Sequence, residues 1–325
     1  MINELRFYIG NGFDPYENLA VERFLFENAA EDCLTLYLWQ NAKTVVIGRN
    51  QNPWTECRCA LLEEEGGKLA RRMSGGGAVF HDKGNLNFTF LCAESNFNVP
   101  RQMSVIKRAC ALAGIETELS GRNDILAQGR KFSGNAFYHS QNRAYHHGTI
   151  LISADFELMQ RYLTPPKAKL EAKGVKSVRS RVINLSELSE NLTCESMKKY
   201  MVSAFEEVYG LKAQKVEISD AERIKNLANE YGSWDFLYGK TVPFTVSCEE
   251  KFAWGYVQLL LQVENGFIKS ARLYTDAMDA DVSETAENAL LDRRLEENEV
   301  QNALKASLSA PFADDIFNLI KNQAI

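Results

Sequence analysis

Apolar residues in the first half of the chain recur in short blocks, separated by turn residues, which predicts a series of strands. The predicted strands are 5–9, 33–39, 44–48, 78–81, 86–92, 124–127, 131–138 and 146–153. Pairs of strands joined directly by a turn outnumber strands joined through a helix. We therefore expect a mixed, mostly antiparallel sheet with helices on its outer face.

Apolar residues at helical spacing predict helices beside this sheet. Asp14 and Pro15 are typical of an N-cap and a first helical residue, and Tyr16, Ala20 and Phe24 follow four residues apart. Further helices are predicted at 53–65, 102–113, 195–209 and 220–231.

A change of pattern near 234–243, ending in Pro243, predicts a domain boundary. Beyond it the pattern indicates a hairpin, 253–263 with 267–275, turned by Asn265-Gly266, and helices at 284–291, 297–306 and 313–322. The predicted fold class is α/β (α+β): a large domain over 1–243, with mixed, mostly antiparallel sheets flanked by helices, and a small C-terminal α/β accessory domain over 244–325.

Charge and cysteine usage limit the classes of function. The net charge of −6 over 325 residues argues against nucleic-acid or anionic membrane partners, so any bound anion needs a local basic site. The seven cysteines form no paired framework, which favours a cytoplasmic setting. We expect neither a signal peptide nor a membrane-spanning segment.

The segment 71–82, RRMSGGGAVFHD, is the strongest chemical signal. Three glycines allow backbone N–H groups to close around an anion, and arginine matches phosphate geometry. The segment is neither a Walker loop nor a dinucleotide-binding turn. It indicates either a phosphate cradle or a glycine-rich hairpin with solvated arginines.

Two further segments carry candidate chemistry. In a strand, Lys131, Ser133 and Asn135 would share one face, and such a lysine either meets an anion or reaches solvent at a sheet edge. His146 and His147 would face opposite ways and could not readily share one metal ion.

A basic segment, 164–181, is either a solvated loop or a flap over an anionic ligand. Together with the glycine loop and the lysine, a closing flap suggests a nucleotide whose α-phosphate is attacked by a carboxylate, giving an acyl adenylate.

These motifs resemble those of the lipoate–protein ligase A family, within the biotin/lipoate ligase superfamily. The matching segments are 14–22, 45–54, 71–84, 121–124, 131–136, 147–149 and 173–184, with Trp254-Gly255 in the tail. The resemblance implies a biotin/lipoate-ligase-like catalytic domain that converts lipoate and ATP to lipoyl-AMP, with Mg²⁺ at the phosphates. The lipoyl group then passes to a lysine on carrier domains of 2-oxoacid dehydrogenases or the glycine-cleavage H protein. A cytoplasmic monomer is expected.

The resemblance also implies residue roles. Lys131 is the expected catalytic residue, in contact with both the lipoyl carboxylate and the α-phosphate. Asp124 is the expected Mg²⁺ ligand. The expected ATP and adenylate contacts are Arg71, Gly75, Gly76, Gly77, Ala78, Val79, Asp124, Lys131 and Lys173. The expected lipoate contacts are Leu19, Trp39, Ser74, His81, Lys131 and His147.

Three rival functions stay open at this point. A lipoyl or octanoyl transferase on the same fold uses a cysteine nucleophile and no ATP. Its cysteine is missing from the Lys131 and His147 segments, which leaves Cys92 as the one to test. A biotin ligase fits the arginine-led glycine loop and the extra C-terminal domain less well. A non-catalytic carrier-binding relative would have lost the lysine or the glycine loop, and both are present in this chain.

Overall fold

A computed structural model of the chain describes residues 2–121, 123–164, 181–238 and 245–324. Its strands are β1 (Glu4–Ile9), β2 (Cys33–Trp39), β3 (Thr44–Ile47), β4 (Lys68–Arg71), β5 (Val79–His81), β6 (Asn85–Ala93), β7 (Glu118–Ser120), β8 (Asp124–Ala127), β9 (Arg130–Ser140), β10 (Arg143–Leu151), β11 (Ala213–Lys215), β12 (Val246–Lys251), β13 (Tyr256–Glu264) and β14 (Phe267–Thr275). Its helices are α1 (Pro15–Glu27), α2 (Pro53–Glu56), α3 (Cys59–Glu64), α4 (Val99–Leu112), α5 (Phe156–Tyr162), α6 (Cys194–Tyr209), α7 (Ala221–Tyr231), α8 (Trp234–Tyr238), α9 (Val282–Leu290), α10 (Glu297–Ser307) and α11 (Phe312–Gln323).

Eight strands form the main sheet, in the order β11–β1–β2–β6–β10–β9–β8–β7. β1 pairs in parallel with β2 and β11, and the other neighbouring pairs are antiparallel. The prediction of a mixed, mostly antiparallel sheet is confirmed. Helices cover both faces rather than one, because α4 and α6 pack on one side and α1 and α7 on the other. Burial on both faces explains the nearly continuous apolar sequence of β2.

A small three-stranded sheet, β4–β3–β5, lies over the face of the main sheet that α1 also covers. Its residues Val46, Ala70 and Val79 belong to the same apolar cluster as Leu19 and Trp39. Two layers of sheet therefore face each other there. The sequence pattern did not predict β4, which is four residues long and has a basic residue at each end.

The start of α1 follows the prediction, since the Asp14 side chain accepts from the N–H groups of Tyr16 and Glu17. The single helix predicted at 53–65 is wrong. The chain forms α2 and α3 instead, because Cys57 is extended (φ −137°, ψ 140°) and forms a β-bridge with Leu163.

The C-terminal residues form a separate unit with its own core. β12, β13 and β14 make an antiparallel meander, and α9, α10 and α11 bury apolar residues against it. The predicted Asn265-Gly266 turn is present, with both residues at positive φ. In the described parts of the chain, no helix is long and apolar enough to cross a bilayer.

Candidate active site

A cavity of about 160 Å³ lies where the small sheet faces the main sheet. One water molecule needs only roughly 10–15 Å³, so an organic ligand is the natural occupant. The predicted site residues that line the cavity are Leu19, Trp39, Gly76, Gly77, Ala78, Val79, His81, Lys131 and His147.

Lys131 reaches the cavity from β9, and its Nζ lies 2.6 Å from Asp124 Oδ1. The two side chains are 38% and 35% exposed, so water reaches the pair. An ion pair this exposed contributes little to stability. Lys131 can therefore exchange the carboxylate of Asp124 for another anion at small cost.

The predicted face of Lys131 is wrong in one respect. The pairing of β8 with β9 shifts at a β-bulge at Phe132, so Lys131 no longer alternates in step with Ser133 and Asn135. Lys131 instead lies on the cavity face with Gly134: a Cβ added to Gly134 would lie 2.8 Å from Lys131 Nζ. The bulge aims the lysine, and the glycine leaves space for its amine.

The glycine loop forms one wall of the cavity. Gly76 has φ +89°, a conformation that favours glycine. Its N–H donates to the carbonyl oxygen of Ala277, 2.8 Å away in the C-terminal unit. Gly75 faces that unit as well, since a Cβ there would lie 2.3 Å from the same oxygen. A Cβ on Gly77 would meet nothing within 4 Å, so the open side of the loop is at Gly77.

The two arginines before the loop have different positions. Arg72 lines the cavity and donates to the carbonyl oxygens of Gly75 and Gly77, at 2.7 and 2.8 Å. Arg71 is not brought to the cavity. Arg71 as a residue is 2% exposed, and its guanidinium donates to the carbonyl oxygens of five residues that do not line the cavity. Burial lowers the pKa of each arginine to about 10, so both stay charged at neutral pH.

A buried chain of hydrogen bonds connects Trp39 and His147, which both line the cavity. Trp39 Nε1 donates to Thr89 Oγ1 (3.1 Å), and Thr89 Oγ1 donates to Glu22 Oε1 (2.7 Å). Glu22 Oε1 is 2.8 Å from His147 Nδ1, and His147 Nε2 is 2.7 Å from Ser74 Oγ. In the neutral ring with Nδ1–H donating to the carboxylate, Nε2 accepts from the hydroxyl of Ser74. The chain fixes the ring of His147 and connects α1, the main sheet and the glycine loop.

Several predicted residues do not line the cavity. Ser74 lies behind His147, and Gly75 faces the C-terminal unit. Asp124 contacts the cavity only through Lys131. Lys173 lies outside the described residues, as does the basic segment between Thr164 and Arg181. The described end of that segment is close to the site, because Lys131 N–H donates to the carbonyl oxygen of Arg181 at 2.9 Å.

Other cavity residues were not predicted. Arg72, Val46, Asn87, Asn123 and Thr149 line the cavity, and Glu22 lies behind its wall. Glu22 did carry a signal: it is three residues after Leu19, on the helix face predicted to be buried. A carboxylate in that position needs polar partners.

His146 and His147 face opposite ways, as predicted. His146 is fully buried on the other face, with Nε2 2.8 Å from Asn135 Oδ1 and its ring near Phe88 and Phe90. Burial lowers the pKa of His146 to about 3. The two histidines therefore belong to different environments and cannot share a metal ion.

The low pKa of His146 gives a stability prediction. Between the unfolded pKa near 6.5 and the native value of about 3, only the unfolded chain binds this proton. Protonation of His146 therefore favours the unfolded state, and the free energy of unfolding of the protein should fall as the pH decreases. This group contributes about 1.4 kcal/mol per pH unit to that fall. We expect His146→Phe to remove that part of the slope in urea denaturation between pH 6.5 and 4.5. His139→Gln, at a half-exposed site, is the control and should keep it. Equal slopes in wild type and His146→Phe would contradict the prediction.

Two family models match this chain. The model described as "Lipoyl protein ligase A/B catalytic domain" matches residues 14–206, and "Bacterial lipoate protein ligase C-terminus" matches residues 241–323. The chain belongs to the lipoate–protein ligase A family.

Individual relatives agree with that assignment. "Lipoate-protein ligase A" of Psychrobacter cryohalolentis is 40% identical over 298 residues, which cover 89% of this chain and 88% of that protein. LipL1 of P. falciparum, solved in complex with lipoate, is 30% identical with a TM-score of 0.86, covering 98% of this chain and 100% of that one. A lipoate-protein ligase A structure bound with ATP has the same fold, with 21% identity, a TM-score of 0.61 and coverage of 73% and 98%.

Proposed function

We propose that this chain converts lipoate and ATP to lipoyl-AMP and pyrophosphate, and then transfers the lipoyl group to a lysine of a carrier domain. In the first step a carboxylate oxygen bonds to the α-phosphorus and pyrophosphate leaves. In the second, the carrier amine bonds to the acyl carbon, loses a proton, and AMP leaves. Family membership supports this reaction. The observation that carries it is one cavity that combines the Lys131 amine, a glycine loop and an apolar wall.

In this proposal Lys131 is the catalytic residue. Its ammonium neutralises the lipoate carboxylate and the negative charge that develops at the α-phosphate. The exposed ion pair with Asp124 supports that role, because a ligand anion can replace the carboxylate without leaving a buried charge unpaired.

The nucleotide would bind along the glycine loop. Gly76, Gly77, Ala78 and Val79 would approach it through backbone atoms, and Arg72 would hold the loop in shape. Arg71 is proposed to anchor the loop from behind rather than contact phosphate, since its donors already have carbonyl partners. Contacts from Gly75 and Lys173 stay predictions.

The acyl chain would lie between Leu19, Trp39, His147 and His81. These side chains come from both sheets and α1, so the wall is supported on every side. Ser74 would act indirectly, by orienting His147.

Mg²⁺ fits the site if ATP brings it. Asp124 offers one partly exposed carboxylate beside Lys131, and Mg²⁺ usually takes one or two protein carboxylates together with substrate phosphates. When bound it would offset charge on the phosphates. Asp124 would hold it after Lys131 has turned to the substrate.

We further propose a catalytic domain over 1–243 and an accessory domain over 244–325, which the separate C-terminal core supports. The proposed acceptors are lipoyl carrier domains of 2-oxoacid dehydrogenases or the glycine-cleavage H protein. A cytoplasmic monomer stays a prediction.

The rival transferase would need a cysteine at the acyl group. None of the described cavity-lining residues is a cysteine. Cys92 is fully buried in the core on the other face of the main sheet, and burial raises its pKa to about 12, which makes it a poor nucleophile.

Lipoate-dependent exchange of labelled pyrophosphate into ATP tests the proposal. We expect exchange in the absence of any carrier, and lipoylation of an added carrier domain only when ATP is present. Carrier lipoylation from an acyl donor without ATP would instead favour the transferase. Carrier binding without pyrophosphate exchange would favour the non-catalytic carrier-binding relative.

A further inference from the structure

Two polar atoms in the cavity wall have no hydrogen-bond partner among the described residues. They are His81 Nε2 and Asn87 Nδ2. Both side chains line the cavity, and they are 4% and 1% exposed. Buried polar atoms in folded proteins are nearly always paired, so an unpaired couple beside a ligand cavity indicates a missing partner.

Both atoms are hydrogen-bond donors. Asn85 Nδ2 donates to Asn87 Oδ1 at 2.9 Å, so Asn87 turns its amide N–H group the other way. Asn18 Nδ2 donates to Asn41 Oδ1, which leaves the Asn41 amide N–H to face His81 Nδ1 at 3.2 Å. His81 Nδ1 is therefore the acceptor, and Nε2 carries the proton. Burial lowers the pKa of His81 to about 3, so the ring stays neutral.

Strand register locates Asn87 at a definite distance from Lys131. The Lys131 amine lies over Gly134, whose N–H donates to Thr149 Oγ1 on the next strand. Thr149 pairs with Asn87, and Asn87 with Trp39. Neighbouring strands are about 4.8 Å apart, so Asn87 lies two strands, or roughly 10 Å, from Gly134. An extended eight-carbon acid with its carboxylate at Lys131 spans a similar length, which brings its far end to Asn87.

We infer that His81 and Asn87 form a two-donor subsite for the disulfide sulfurs at the end of the lipoyl chain, and that this pair favours lipoate over octanoate. The inference rests on the proposed function. Sulfur is a weak acceptor, and it is the only acceptor in that half of lipoate. Octanoate has no acceptor there, so it leaves both donors unpaired.

A shape-matched acid isolates the sulfurs in the wild-type protein. 5-Cyclopentylpentanoate has the chain and ring of lipoate with carbon in place of sulfur. We expect kcat/KM in pyrophosphate exchange to be about three- to tenfold higher for lipoate than for this acid, as suits a weak hydrogen bond. A ratio near one would overturn the inference.

Variants connect the ratio to the two side chains. Asn87→Leu and His81→Phe each remove a donor with little change in size, and each should bring the ratio towards one by lowering kcat/KM for lipoate. Val46→Ala is the matched control, because it alters the same cavity wall without removing a donor. It should keep the wild-type ratio. If one variant does not fold, the other variant tests the assignment to the side chains, and the comparison of acids in wild type tests the role of the sulfurs.

Two other results would also count against the subsite. A rise in the KM for ATP in Asn87→Leu that is equal for all acids would assign the donors to the nucleoside. If the ratio of kcat/KM for lipoate to that for 5-cyclopentylpentanoate is unchanged in both variants, the two donors would be assigned to a trapped water instead. Absence of exchange with every acid would instead refute the proposed function, and this inference with it.

Discussion

Lys131→Ala should lower lipoate-dependent pyrophosphate exchange by about a hundred- to a thousandfold, the loss typical when one group that stabilises developing charge is removed. Among the described residues that line the cavity, Lys131 and Arg72 carry positive charge, and the donors of Arg72 are held by carbonyl oxygens. Removal of the lysine amine leaves Asp124 unpaired but partly solvated, so the fold should survive. Exchange kinetics and thermal unfolding measure the two effects separately.

Arg130→Ala is the matched control for that experiment. Arg130 is the preceding residue on β9, is not among the residues that line the cavity, and forms a partly exposed ion pair with Glu187 at 3.6 Å. It should retain near wild-type exchange. Near-normal pyrophosphate exchange in Lys131→Ala would contradict the proposed catalytic role of the amine, whatever the change in melting temperature.

Gly48→Ala should damage both stability and activity. A Cβ on Gly48 would lie 2.3 Å from the carbonyl oxygen of Gly76, so the glycine loop must move away from β3. Overpacking of this kind costs about 1–3 kcal/mol in unfolding free energy. Displacement of a cavity wall by about an ångström can cost a hundredfold in rate, so we expect a loss of that order in exchange.

Gly66→Ala separates strain from displacement. Gly66 has φ +75°, where an L residue is strained by about 1–2 kcal/mol, but a Cβ there meets nothing within 4 Å. Its stability loss should resemble that of Gly48→Ala, while its exchange activity stays near wild type. If the two variants lose activity equally, loop displacement is not the cause of the loss in Gly48→Ala.

Local signals in the sequence predicted much of the fold. The Asp14-Pro15 cap, the Asn265-Gly266 turn and the apolar strands depend on residues close together in the chain, so the local sequence is enough to predict them. Elements set by distant partners were missed. The break between α2 and α3 follows from the bridge to Leu163, and β4 exists because it pairs with β3.

The same distinction applies to the site. The glycine loop and Lys131 were found because their residue types are unusual in sequence. The bulge at Phe132 was missed because strand alternation assumes a regular register. The roles of the two arginines could not be separated, since only the packing decides which guanidinium faces the cavity.

The hydrogen bond from Gly76 to Ala277 has a thermodynamic consequence. Any ligand that takes the Gly76 N–H must first displace the carbonyl of Ala277 in the C-terminal unit. Its observed affinity is then its intrinsic affinity multiplied by the fraction of molecules in which that amide is free. Because such coupling is reciprocal, the same ligand weakens the attachment of the C-terminal unit by an equal free energy. Ligand binding at the loop and packing of the C-terminal unit against it are thus linked in a single equilibrium.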